Sequence, residues 1–211
     1  MNAFHVSSAL LPDIPALNAL VNAAYRGDRS RRGWTTEADL LDGIRTDEGR
    51  LREMIESPNS QILKLEEAGT LLGCVYLETK GDALYLGMLT VSPERQDRGL
   101  GRQLLEAAEQ VARERSCRRI TMTVIPQRTE LIAWYERRGY CATGETQPFP
   151  SEDPRFGLPR VPLSFVVLEK VLVYDFGTRN PYGQCRQPLL QQYPRLRWYA
   201  SVKTRKPFSL R

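Results

Sequence analysis

Apolar and polar positions follow two different rhythms along this 211-residue chain, and the change of rhythm marks its elements. A short apolar stretch, FHVSSAL at 4–10, predicts a first strand; PDIPALNALVNAAYRG at 12–27 then sets Ile14, Leu17, Leu20 and Val21 at the spacing of one helix face. After a basic loop, TTEADLLDGI at 35–44 reads as a capped helix, with Thr35 or Thr36 as the cap and Glu37 or Asp39 in the first turn. EGRLREMIES at 48–57 predicts another short helix, stopped by Pro58. The period then shortens: SQILKLEE (60–67), TLLGCVYLETK (70–80) and DALYLGMLTV (82–91) predict consecutive strands joined at the turn signals EAG and KGD. GRQLLEAAEQVARERS at 101–116 puts Leu104, Leu105, Ala108 and Val111 on one helical face. CRRITMTVIP (117–126) predicts a strand and RTELIAWYERRG (128–139) a helix ended by Gly139, and YCATGET and LSFVVLEKVL supply two more strands. This order predicts an α/β layer structure, a mixed sheet with helices on both faces.

Composition places the chain among globular proteins, with 41% hydrophobic and 26% charged residues. No stretch approaches the roughly 18 apolar residues of a membrane span, so no membrane association is expected. The first residues lack a basic leader followed by an apolar core, and a cytoplasmic location is expected. The four cysteines show no close pairing and read as ordinary thiols; with His5 the only histidine, no metal site and no Ser-His-Asp triad is expected. The net charge of +5 is uneven. Residues 172–211 hold eight Lys/Arg against one acid, whereas residues 1–171 hold 22 basic and 24 acidic residues. Two regions follow: a domain over 1–171, and a basic extension over 172–211 that lacks regular periodicity and is read as a poorly ordered appendage. Nucleic acid is not the expected partner.

The chemistry concentrates in VSPERQDRGLGRQLLEAAEQ, residues 91–110, where an apolar strand enters a helix through a turn of arginines and glycines. Amides in the first turn of a helix have no intrahelical partners, and the helix field favours anions there. Gly99 and Gly101 let a ligand approach the backbone, and Arg95, Arg98 and Arg102 offer forked donors. The turn reads as a pyrophosphate cradle. It fits neither G-x-G-x-x-G nor G-x-x-x-x-G-K-[ST].

Gln96, Gly99 and Gly101 resemble the acyl-CoA signature [QR]-x-x-G-x-[GA] of the GNAT superfamily of N-acyltransferases, and Tyr135, Gly139 and Tyr140 resemble its Y-x-x-x-G-[FY] segment. The element order is similar to that family from residue 3 to about 171. The resemblance implies a mostly antiparallel sheet and acetyl-CoA as acyl donor. It implies that the backbone of Leu89, Thr90 and Val91 holds the pantetheine arm and that Gln96, Asp97, Arg98, Gly99, Leu100, Gly101 and Arg102 hold the pyrophosphate. Tyr135 matches the tyrosine that protonates the departing thiolate. Arg128 stands where the family often has Asn, and is expected at the 3′-phosphate or pyrophosphate instead.

An attacking amine must also lose a proton. The strand ALYLGMLTV has no acid, so Glu78 is the expected base, with Glu37 or a water chain as rivals. Tyr25 and Trp34 are expected to wall the acceptor site, and Arg29, Arg31 or Arg32 to receive a carboxylate. The proline-rich segment 147–162 is expected to cover it. The expected activity is acetyl transfer to a primary amine of a small molecule, by direct attack in a ternary complex. A protein or peptide N-acetyltransferase and a non-catalytic acyl-CoA-binding protein are the alternatives, and the chain is expected to be a monomer or homodimer.

Overall fold

The computed structural model describes residues 4–96, 98–153 and 156–172. Most of the 172–211 extension, and Asp97, therefore lie outside the described residues. Among the described residues nine strands and five α-helices follow one another: β1 (His5–Ser8), α1 (Ile14–Tyr25), α2 (Gly27–Ser30), β2 (Leu41–Asp42), α3 (Glu48–Glu56), β3 (Ser60–Glu67), β4 (Thr70–Lys80), β5 (Ala83–Val91), α4 (Leu100–Glu114), β6 (Arg119–Val124), α5 (Thr129–Glu136), β7 (Cys141–Pro148), β8 (Leu158–Pro159) and β9 (Ser164–Val171). Seven strands form one sheet in the order β1-β3-β4-β5-β6-β9-β7. Only the β5–β6 pair is parallel; every other neighbour in it is antiparallel.

Alternation along the central strands sends their side chains into two cores. Leu63, Leu65, Val75, Leu77, Leu84 and Leu86 pack with Leu104, Leu105 and Ala108 of α4 on one face. Ile62 and Cys74 pack with Leu17 and Val21 of α1 and Leu51 of α3 on the other. A β-bulge alters this alternation in β5. Tyr76 pairs with Gly87 and Cys74 with Thr90, so Met88 and Leu89 together oppose Val75. Met88 has a φ of 51° and joins the α1/α3 core, while Leu89 and Val91 pack toward α4. Strict alternation would have sent Met88 the same way as Leu84 and Leu86.

The layers meet closely at Gly73, where a Cβ would lie 2.8 Å from the carbonyl oxygen of Thr90 and 3.0 Å from Leu104 Cδ1. Gly73→Ala is expected to cost about 1–3 kcal/mol through overpacking, measured as a lower midpoint in urea with an unchanged slope.

Three local expectations are corrected. Residues 35–44 form no α-helix: Leu40 N and Leu41 N both donate to Glu37 O, and Thr36 Oγ1 accepts from Ala38 N. The chain then leaves this single turn to pair Leu41 and Asp42 with Pro159 and Leu158. The basic loop before it contains the short α2. Cys74 and Cys117 are buried free thiols, but Cys141 is disulfide-bonded, unlike the unpaired thiol expected there. No helix among the described residues is long and apolar enough to cross a membrane.

Candidate active site

The parallel ladder between β5 and β6 lasts only from Ala83–Arg119 to Tyr85–Thr121. Beyond it β5 stays with β4 out to Val91, and β6 stays with β9 out to Val124. The two strands thus part, and their facing edges carry backbone groups that the ladder does not use. Two cavities occupy this end of the sheet. One, of about 420 Å³, runs along Leu89, Val91, Gln96, Gly99–Arg102 and Trp134. The other, of about 580 Å³, is walled by Tyr25, Arg45, Tyr76, Glu78, Tyr85 and Phe149 among others. Leu89, Arg128, Leu131 and Tyr135 line both.

In the first cavity, α4 starts after Gly99, whose φ of 74° is the left-handed conformation that glycine adopts freely, and no side chain caps the helix. The amides of Leu100, Gly101 and Arg102 open the helix, so they have no acceptor within it. A Cβ on Gly101 would lie 3.4 Å from the Trp134 ring, which forms the opposite wall. Gln96 uses its side chain elsewhere: Oε1 accepts from the backbone N–H of Trp34. Arg98 turns away from the cavity, with two 3.0 Å bonds to Glu67 and its guanidinium over Phe4. Thr90 is buried, its hydroxyl donating to Met88 O across the bulge at 2.9 Å.

Arg102 lines this cavity, and so do Arg137 and Arg138, which sequence reasoning missed. Arg138 lies 3.7 Å over the Trp134 ring and donates to Trp134 O at 2.8 Å. The signal was present in ERRGY, since an arginine four residues after a tryptophan on a helix shares its face.

Tyr135 stands where the cavities join, 5% exposed, with edge contacts to Trp134 and Tyr140 at 5.1 and 5.7 Å. Burial and the neighbouring Tyr25 push its phenol well above the ordinary 10.0, against the opposing pull of Arg128 and Arg138. At neutral pH it is protonated. Tyr25 lies in the second cavity and donates its hydroxyl to Leu89 O at 2.9 Å, which occupies one lone pair of a carbonyl expected to meet the pantetheine arm.

Glu37, read from the sequence as a rival base, is 7% exposed and held by two arginines. Arg26 Nη1 lies 2.5 Å from its Oε2 and Arg128 Nη1 2.7 Å from its Oε1. Burial pushes this carboxyl up, but Arg128, Arg45 and Arg26 outweigh it and hold it below its ordinary value. It is a fixed anion and a poor proton acceptor. The Arg128 guanidinium, expected at a phosphate, is committed to Glu37 and lies within 3.4 Å of Thr35 Oγ1.

Glu78 does line the second cavity, paired with Lys80 at 3.0 Å. Trp34, 49% exposed, stands on the Gln96 side, 6.5 Å from Trp134. Arg29 lies outside both cavities, paired with Glu94, and Arg31 with Asp39. The end of β7 and the segment after it contribute Pro148, Phe149, Pro150 and Phe156 to the second cavity. Its anchors include Arg26 Nη2 to Phe156 O at 3.2 Å, the β2–β8 pair, and the Arg160–Asp42 ion pair.

Residues 21–140 match the acetyltransferase (GNAT) family. The chain belongs to that family. As a GNAT protein it is 30% identical over 128 residues to a mycothiol acetyltransferase from Clavibacter sepedonicus, a match that covers 61% of this chain and 38% of that protein. The chain thus matches well under half of that relative's length. Its fold is similar to the ribosomal-protein-S18-alanine N-acetyltransferase from Escherichia coli, with a TM-score of 0.60 at 16% identity, covering 84% of this chain and 100% of that one. It is also similar to a PaiA N-acetyltransferase from Thermoplasma acidophilum in complex with coenzyme A, with a TM-score of 0.61 at 18% identity, covering 81% of this chain and 99% of that one. The bulged β5, the parting of β5 from β6 and the uncapped start of α4 are thus features of a GNAT chain.

Proposed function

We propose that this protein moves an acetyl group from acetyl-CoA to a primary amine of a small molecule, by direct attack with both reactants bound. The observation that carries this reading is the junction: two cavities, one bordered by free helix amides and the other by aromatic and charged side chains, share a wall at Tyr135. In this reading the amides of Leu100, Gly101 and Arg102, with Arg102, Arg137 and Arg138 beside them, hold the pyrophosphate. Leu89 and Val91 border the pantetheine arm. Trp134 closes the far side.

Holding both reactants at the junction turns a bimolecular encounter into a local one. The amine nitrogen forms the new C–N bond as the C–S bond breaks. Tyr135 gives its phenolic proton to the departing sulfur, and the amine's own proton goes to Glu78 directly or through water. The size of the second cavity and its cover of Phe149, Pro150 and Phe156 suit a small molecule more than a folded protein surface.

Coenzyme A titrated into the protein is expected to release heat and, near a hundredfold excess over its Kd, to add about 2.7 kcal/mol of stability. Thiol release from acetyl-CoA is then expected on adding one class of amines from a panel of amino acids, polyamines, aminoglycosides and peptides. Absence of both heat and protection would overturn the reading. Coenzyme A binding with turnover of peptides alone would replace the small-molecule acceptor by a protein one.

A further inference from the structure

Five cations, Arg26, Arg45, Arg50, Lys80 and Arg128, line the acceptor-side cavity with three carboxylates, Glu37, Glu53 and Glu78. Lys80 pairs with Glu78. Arg26 and Arg128 share Glu37, one on each oxygen, while a third arginine acts on it only from further away. The third is Arg45. It lies close enough to Glu37 to help hold that carboxylate ionised, and its guanidinium sits 5.2 Å over the Tyr25 ring. Among the described residues no carboxylate forms an ion pair with it.

Arg45 is half-buried, where an uncompensated charge is costly and an arriving anion lowers that cost. Its location fits a substrate role, because the Tyr25 ring beneath it reaches Leu89 O at the junction through its hydroxyl. A guanidinium fork matches a planar carboxylate. The remaining wall, with Tyr76, Tyr85, Phe149, Phe165 and Met54, suits an apolar or aromatic body.

We propose that the ligand of this cavity is an amine that also carries a carboxylate, received by Arg45: an amino-acid-like acceptor with an aromatic or bulky apolar side chain. Its amine half rests on the acetyl-transfer reading; its carboxylate half rests on Arg45 and the cavity wall. Calorimetry with N-acetylphenylalanine and N-acetylphenylalaninamide, with and without coenzyme A, separates the two halves. The wild-type protein is expected to bind the acid roughly ten- to a hundredfold more tightly than the amide, and Arg45→Met to bring that ratio near one. With acetyl-CoA, phenylalanine is expected to exceed phenethylamine in kcat/KM by a similar factor. Equal affinities for acid and amide in the wild type, binding of neither, or a preference that survives in a folded Arg45→Met protein would overturn the proposal. The wild-type comparison holds whether or not the variant folds. A preference for the acid without coenzyme A heat or thiol release would keep the Arg45 site and remove the acetyl-transfer reading instead.

Discussion

Replacing Tyr135 with phenylalanine is expected to lower kcat for acetyl transfer by about a hundredfold or more, with coenzyme A affinity changed little. The substitution removes one oxygen at the wall shared by the two cavities and keeps the ring that packs on Trp134 and Tyr140. Any loss therefore reports the proton and not the packing. Because burial raises this phenol above 10.0, it stays protonated throughout the neutral range. The wild-type rate should accordingly show no loss due to Tyr135 until the pH passes 10.0. Steady-state rates of thiol release between pH 6 and 9 provide the measurement. A variant with the wild-type rate throughout would remove Tyr135 as the proton donor.

The second large effect is on stability. Glu37→Gln leaves Arg26 and Arg128 buried without their shared counter-ion, and breaking such a group typically costs about 3–5 kcal/mol. For a chain of this size that corresponds to a fall in Tm of roughly 6–20 °C. Removing the charges together, as Arg26→Met, Glu37→Leu and Arg128→Met, should cost less than the sum of the three single changes, because no charge of the cluster is then stranded. The pH dependence follows from the depressed carboxyl. The stabilisation by Glu37 is fully present above its unfolded value near 4.5 and is lost as pH falls through its lower folded value. Thermal melts from pH 7 down to pH 3 should show wild type converging on Glu37→Gln at the acid end. Parallel curves would mean that the carboxylate is not held by its arginines.

This cluster also explains which parts of the fold were legible in the sequence. Strands β3 to β6 are short apolar runs bounded by turn signals, and helix α4 buries one face of its repeat, so local pattern alone reveals them. The segment 35–44 has the residues of a capped helix, but Glu37 satisfies its charge on Arg26 and Arg128, 11 and 91 residues away. No local pattern encodes that. The same distance in sequence hides the β2–β8 pair, whose two residue pairs join Leu41 and Asp42 to a segment beyond β7. The start of α4 after Gly99 was legible because a helix start is a local property. The pairing of Arg98 was not legible, since its partner Glu67 lies 31 residues away in β3. Arginines were expected at the acceptor, yet the one proposed to receive its carboxylate is Arg45, with which no carboxylate among the described residues forms an ion pair, and seeing that requires the three-dimensional structure.

The bulge in β5 has a consequence for how the chain can vary. Its extra residue sets the parity of everything downstream, sending Leu89 and Val91 toward α4 and keeping Met88 with α1 and α3. Deleting one residue there would exchange those assignments for the rest of the strand, carrying Thr90 toward α4 and both cavity-lining side chains to the opposite core. Side chains along this wall can be exchanged one at a time, but the number of residues between Gly87 and Val91 cannot change without dismantling both cavities at once. In that sense the strand stores the site as a count as much as a chemistry.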